Sequence, residues 1–152
     1  MRLPRMKFTA AGDLLIQRLI STEYEGFDSL SDYIRKGDAR FFNFESIIYS
    51  DGIWGNQFNG GSHHYSDIKT LKIIEKYGFN MTSFANNHTF DWGYGGLIAT
   101  LDAMKASNFV HTGVGMNLDE ASAPAYLETP TGRVALISMT SSFANIAAMA
   151  GR

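Results

Sequence analysis

Ala85–Asn86–Asn87–His88–Thr89–Phe90–Asp91 concentrates more chemistry than any other stretch of this sequence. An Asn side-chain oxygen and an imidazole both bind divalent ions, and histidine also serves as a general acid near neutral pH. Asp91, three residues after His88, is placed to accept the second ring N–H and fix the tautomer. The plainer alternative is an Asx-type turn that carries a surface histidine.

Two carboxylates join this segment. Asp13 follows Gly12 where a short apolar strand ends; it suits a cation, or the N-cap of a following helix. Glu45 closes an apolar run, and strand alternation puts it on one face with Asn43, opposite Phe44. That pair meets a partner or a cation, or is simply exposed at a strand terminus. Around the same edge, Trp54, Phe58, Tyr65, Trp92 and Tyr94 offer either stacking for a flat ligand or packing, with packing the preferred role. His63 and His64 lie in a long glycine-rich loop and either line a substrate cleft or are solvated, with the solvated role preferred. His111 alternates within a strand and is read as structural. No glycine pattern of a phosphate-binding loop is present.

Apolar periodicity places these residues. Strands are expected at Lys7–Ala11, Ala39–Phe44, Phe79–Phe84 and Phe109–Thr112. Helices are expected over Leu14–Ile20, around Ser29–Arg35, from an N-cap at Ser66 through Tyr77 with Gly78 as its stop, and after Gly93, Gly95 and Gly96. Asn117–Ala121 reads as a short helical turn. Tyr126–Glu128 and Val134–Met139 flank a hairpin turn at Thr129–Gly132. The segment from about Tyr49 to Ser62 reads as loop. Alternating strands and helices mean an α/β fold with a mostly parallel sheet, whose ligands bind beyond the carboxyl ends of the strands. Asp13, Glu45 and Asn87–His88 all fall at that edge.

Composition bounds the function. The 152 residues amount to one domain, 45% hydrophobic, with a formal charge of −2. No basic cluster is available for nucleic acid. Without cysteine, any metal must be held by His, Asp, Glu or Asn. No segment is long and apolar enough to span a membrane, and no signal-peptide core is present. The chain reads as soluble, with a parent either cytoplasmic or membrane-associated. The small-residue tail through Ala147, Ala148, Met149 and Ala150 reads as a cut through a larger domain.

The spacing of Gly12–Asp13, Asn43–Phe44–Glu45, Ala85–Asn86–Asn87–His88–Thr89–Phe90–Asp91–Trp92–Gly93 and Gly96–Leu97–Ile98–Ala99–Thr100–Leu101 resembles the poly-gamma-glutamate capsule biosynthesis (CapA) family. Gly113–Val114–Gly115–Met116–Asn117–Leu118–Asp119–Glu120–Ala121 and Pro124 fit the same pattern, so the resemblance runs from about Phe8 to about Ser142. It implies a partial calcineurin-like, metallophosphoesterase-like (αββα-type) domain in residues 1–152. It further implies Asp13 as a first metal ligand, Glu45 as a bridging acidic ligand and Asn87 as ligand of a second metal. His88 would protonate the leaving oxygen or steady the phosphoryl group, and Asp91 would hold His88. The cofactors implied are divalent ions, Mn, Fe, Zn or Mg, that clamp a phosphoryl oxygen.

Two departures qualify this. Leu15 stands where wider phosphoesterases carry a histidine, a residue the capsule family tends to lack. The family's downstream His-Trp-Gly and His-Pro-His motifs are absent, so this chain alone is expected to bind metal weakly or be inactive. The expected partner is a phosphoester substrate or poly-gamma-glutamate. The alternative function is a non-catalytic module that binds polyglutamate or a partner of the capsule machinery. An exposed sheet edge is expected to allow pairing with a second copy.

Overall fold

The computed structural model describes residues 5–57 and 61–140. Phe58, Asn59, Gly60 and the small-residue tail after Thr140 lie outside the described residues. Four strands form one wholly parallel sheet in the order β1 (Phe8–Leu14), β2 (Ala39–Phe44), β5 (Met81–Ser83) and β6 (Val110–Thr112). Crossovers run through α1 (Phe27–Ile34), α2 (Lys69–Tyr77) and α3 (Gly93–Lys105). Between β2 and α2 two short strands, β3 (Ile47–Ile48) and β4 (Tyr65–Ser66), pair in parallel. After β6 come α4 (Leu118–Ser122) and an antiparallel hairpin, β7 (Ala125–Thr129) and β8 (Gly132–Leu136). The α/β class and the parallel sheet expected from the residues are both present.

The core grows from strand alternation. Phe42 and Phe44 are fully buried from one face of β2 and meet Phe79, Phe109 and Phe84 at ring distances of 5.1–5.9 Å. Leu71, Ile74 and Tyr77 of α2 and Leu97, Leu101 and Met104 of α3 close over them. Each is spaced three or four residues from the next, the stripe an amphipathic helix buries. Helix α2 stops at Gly78, whose φ of 101° suits a residue without Cβ. Helix α3 approaches β3 closely: Thr100 Oγ1 donates to Gly96 O and accepts from Ile48 N, at 2.7 and 2.8 Å. A Cβ on Gly96 would lie 2.6 Å from Trp92 Cβ, so the first turn of α3 needs glycine there.

Two expectations fail. Leu14–Ile20 is not helical: β1 continues through Leu14, and no helix follows before α1. The reason is tertiary. Ile16 is buried in the core, and its carbonyl accepts from Ser66 Oγ at 2.8 Å. Ser66 therefore does not cap α2; it belongs to β4, and α2 begins at Lys69, whose N–H donates to Asp67 Oδ1 at 2.7 Å. The hairpin turn expected at Thr129–Gly132 is present, closed by the Thr129–Gly132 rung. β3 and β4 are not foreshadowed by periodicity, being two residues long each.

Candidate active site

The carboxyl ends of β1, β2 and β5 meet through a chain of side-chain hydrogen bonds. Asp13, opposite Asn43 in the sheet register, accepts from Asn43 Nδ2 at 2.8 Å. With no helix after it, Asp13 is not an N-cap. Asn43 Oδ1 accepts in turn from Ser83 Oγ at 2.8 Å and Asn86 Nδ2 at 3.3 Å. Asn43 thus acts as the hub between three strand ends.

The segment after β5 is held by its own short-range geometry. Asn86 is buried, and its Nδ2 also donates to Phe44 O at 2.9 Å. Its Oδ1 accepts from His88 N at 3.0 Å, the Asx turn expected as the plainer alternative. The turn does not leave His88 on the surface, because the His88 side chain is only 17% exposed. Thr89 Oγ1 accepts from Asn86 N and donates to Phe84 O, pinning the loop to the strand it leaves. Asn87 is exposed, and its side chain makes no hydrogen bond to a described residue.

His88 faces two carboxylates. Its Nδ1 lies 2.8 Å from Asp91 Oδ2, and Asp91 is almost fully buried. A carboxylate only accepts, so Nδ1 carries the proton and Nε2 is left for other chemistry. Nε2 points toward Glu45, 3.9 Å from Oε1. Glu45 is likewise enclosed, its side chain 15% exposed, and so is not merely a solvated strand end. Burial pushes its carboxyl above the ordinary glutamate range, and a hydrogen bond with the Asp13 carboxyl pushes it the same way. Among its charged neighbours, Asp13 and Asp91 add to that rise and His88 opposes it.

His64 departs from its reading as a solvated loop residue. Its backbone N–H donates to Asp91 Oδ2 at 2.7 Å, the oxygen that also accepts from His88. Its ring stands edge-on to that of His88, centroids 4.0 Å apart and planes at 80°. Gln17 Nε2 lies 2.7 Å from its Nδ1, and Ser62 Oγ 3.1 Å from its Nε2. Burial first, then the neighbouring His88, pulls His64 below the ordinary histidine range, against an opposing pull from Asp91. No spacing in the sequence signals this residue, because the β3–β4 pairing delivers it from a distant loop. His63 stays outside the site; it reaches Asn56 O and packs against Trp92. Trp92 is a packing residue, edge-on to Tyr49 and Tyr65, with its indole N–H on His64 O. Trp54 and Tyr94 are exposed.

Asp13, Glu45 and His88 with Asp91 are thus brought together. Among the described residues no three His, Asp or Glu side chains cluster tightly enough to hold a metal ion. Asp13 and Glu45 alone would supply two carboxylate groups, short of the shell a divalent cation takes. No helix among the described residues is long and apolar enough to cross a membrane.

These features define an α/β protein with an acid–imidazole site at the carboxyl edge of a parallel sheet. The chain belongs to the bacterial capsule synthesis protein family PGA_cap, whose sequence profile matches residues 7–151. It is similar to the protein y4sH of Sinorhizobium fredii, 34% identical over 142 residues, covering 88% of this chain and 30% of that protein. The capsule biosynthesis protein CapA of Bacillus anthracis is 26% identical over 147 residues, covering 91% of this chain and 36% of that protein. The PGA biosynthesis protein CapA of Bacillus subtilis is 28% identical over 117 residues, or 72% of this chain and 30% of that protein. The chain spans about a third of the length of these relatives.

Proposed function

We propose that this chain contributes the acid–imidazole half of a metal-dependent phosphoester hydrolase that serves capsule synthesis, the process named for its CapA relatives. The observation that carries this reading is the His88–Asp91 couple set beside the Asp13–Glu45 carboxyl pair. Asp13 and Glu45 would hold the cation, with Asn87 as a third donor; the ion would supply Lewis-acid polarisation of a phosphoryl oxygen. Asp91 keeps the Nδ1 proton of His88 in place, so a second proton taken up from solvent would sit on Nε2, and its transfer to the leaving oxygen would return His88 to the neutral Nδ1–H form. Glu45 sets the direction of Nε2. Poly-gamma-glutamate is the assembly in whose service such a reaction would act.

The competing reading is a non-catalytic binding module of the capsule machinery. It is favoured by the lack, among the described residues, of a three-residue metal cluster. Both readings are tested on the full-length protein with Mn2+, Mg2+ or Zn2+ and a phosphomonoester probe. The enzyme reading expects cation-dependent hydrolysis that His88→Ala lowers by about a hundredfold or more. Hydrolysis untouched by His88→Ala refutes the assignment of His88. Absence of hydrolysis with every ion, together with polyglutamate binding, favours the module. Pairing of a second copy along β1, which has a neighbour on one side only in the described sheet, is a separate proposal, checked by sedimentation.

A further inference from the structure

His64 stands out among the polar residues because three independent contacts converge on it. The main-chain N–H anchors Asp91, the ring abuts His88, and Gln17 and Ser62 engage both ring nitrogens. With the Gln17 amide donating to Nδ1, the proton sits on Nε2 and donates to Ser62 Oγ. A ring bound at both nitrogens cannot turn without breaking a hydrogen bond. It is therefore a fixed wall against the His88 imidazole, rather than a second proton carrier.

We propose that His64 is a positioning residue: its tethered ring, edge-on to His88, holds the His88 imidazole in the orientation that keeps Nδ1 on Asp91 and Nε2 toward Glu45. The assignment deepens the hydrolase reading and rests on it for its catalytic meaning. Its structural content stands without it. An imidazole has a broad, soft torsion about its last side-chain bond, so a hydrogen bond at one nitrogen leaves the ring free to rock. A perpendicular ring at 4.0 Å removes that freedom through the edge-to-face preference of aromatic pairs. Division of labour within one residue follows. The backbone of His64 serves Asp91, and the side chain serves His88.

That division makes the test clean, because substitution at 64 removes the ring and leaves the backbone N–H. The measurement is solvent exchange of the His88 Nδ1 proton, followed by NMR on this chain and needing no activity. His64→Ala should speed exchange between about twofold and tenfold, the range an edge-to-face ring pair supplies. His64→Phe, which restores a ring face without nitrogens, should recover most of the protection, whereas a general loss of packing would not be rescued in this way. Unchanged exchange in His64→Ala, or no recovery in His64→Phe, overturns the proposal. Should His64→Ala lose its fold, Gln17→Ala reads the same effect from an exposed tether: faster exchange supports the wall, unchanged exchange overturns it. In the full-length protein, His64→Ala should lower kcat with KM held. Failure of all hydrolysis there would refute the hydrolase reading and leave the exchange result standing.

Discussion

The two ends of the parallel sheet are both polar, yet they are wired in opposite ways. At the amino end, Asp38 accepts from Lys7 N and Thr131 Oγ1 at 2.9 and 3.0 Å. Asn80 bridges to Arg40 N and Asp38 O, and Arg40 donates to the carbonyls of Gly37 and Gly78. These bonds run mainly from side chain to main chain, and each donor meets an acceptor. The backbone N–H of Lys7 and the Thr131 hydroxyl together hold the Asp38 carboxyl below the ordinary aspartate range. At the carboxyl end, Glu45 is pushed the other way, by burial and by Asp13. One carboxylate is placed where its charge is welcome, the other where it is not. Structural polar networks are satisfied in place, whereas a group held against its own charge is what a ligand site requires. This opposition of sign, rather than polarity itself, distinguishes the carboxyl end of the sheet from the amino end.

The sharpest way to break the contrast is His88→Ala in the full-length protein. It should lower cation-dependent phosphoester hydrolysis by about two orders of magnitude, at a smaller cost in urea unfolding than Asp91→Ala, because Asp91 keeps the His64 N–H when the ring is removed. Next, Asp91→Ala strips the acceptor from two donors, His64 N–H and His88 Nδ1–H. Urea unfolding should show a loss of roughly 1–3 kcal/mol, with hydrolysis lost as well.

Glu45→Gln is smaller and of opposite sign. Because the folded-state pKa of Glu45 is raised, stability is full below the unfolded-state value and is lost as pH rises through the folded one. Glu45→Gln should flatten that decline, so the metal-free variant is the more stable protein at neutral pH. Added divalent cation should stabilise the wild type and not the variant. A wild type whose stability does not fall in that window would remove the electrostatic basis of the contrast. Smallest of all is Asp38→Asn, at a solvent-facing carboxylate. A lowered folded-state pKa contributes stability above the unfolded-state value and loses it as pH falls through the folded one. The variant should be slightly less stable than wild type at neutral pH and equal to it in strong acid. A loss as large as that of Asp91→Ala would show that the two ends are not wired differently.

Much of this was legible in the residues. The β2 boundaries, the α2 stripe ending at Gly78 and the glycines opening α3 all follow from local periodicity and local backbone demands. So does the Asn86–His88–Asp91 geometry, because an Asx turn and an i,i+3 contact are closed within one short segment. Segment 15–20 misled, since its apolar residues suit a helix when read locally. Ile16 is instead claimed by the core, and its carbonyl by a serine 50 residues away.

The sequence by itself determined the alternation of the four parallel strands with α1, α2 and α3, and it placed Asp13, Glu45 and the Asn86–His88 segment at the carboxyl edge. Periods of two and of three to four are properties of neighbouring residues. Tertiary structure alone decided which of those residues touch. Asp13 meets Asn43 across 30 positions and His64 meets Asp91 across 27. Those meetings depend on strand register and on where the β3–β4 pairing delivers its loop. Neither leaves a periodic trace in the chain, because each is set by the burial of distant side chains. That is why His64 reads as solvent-exposed in the sequence and as part of the site in the fold.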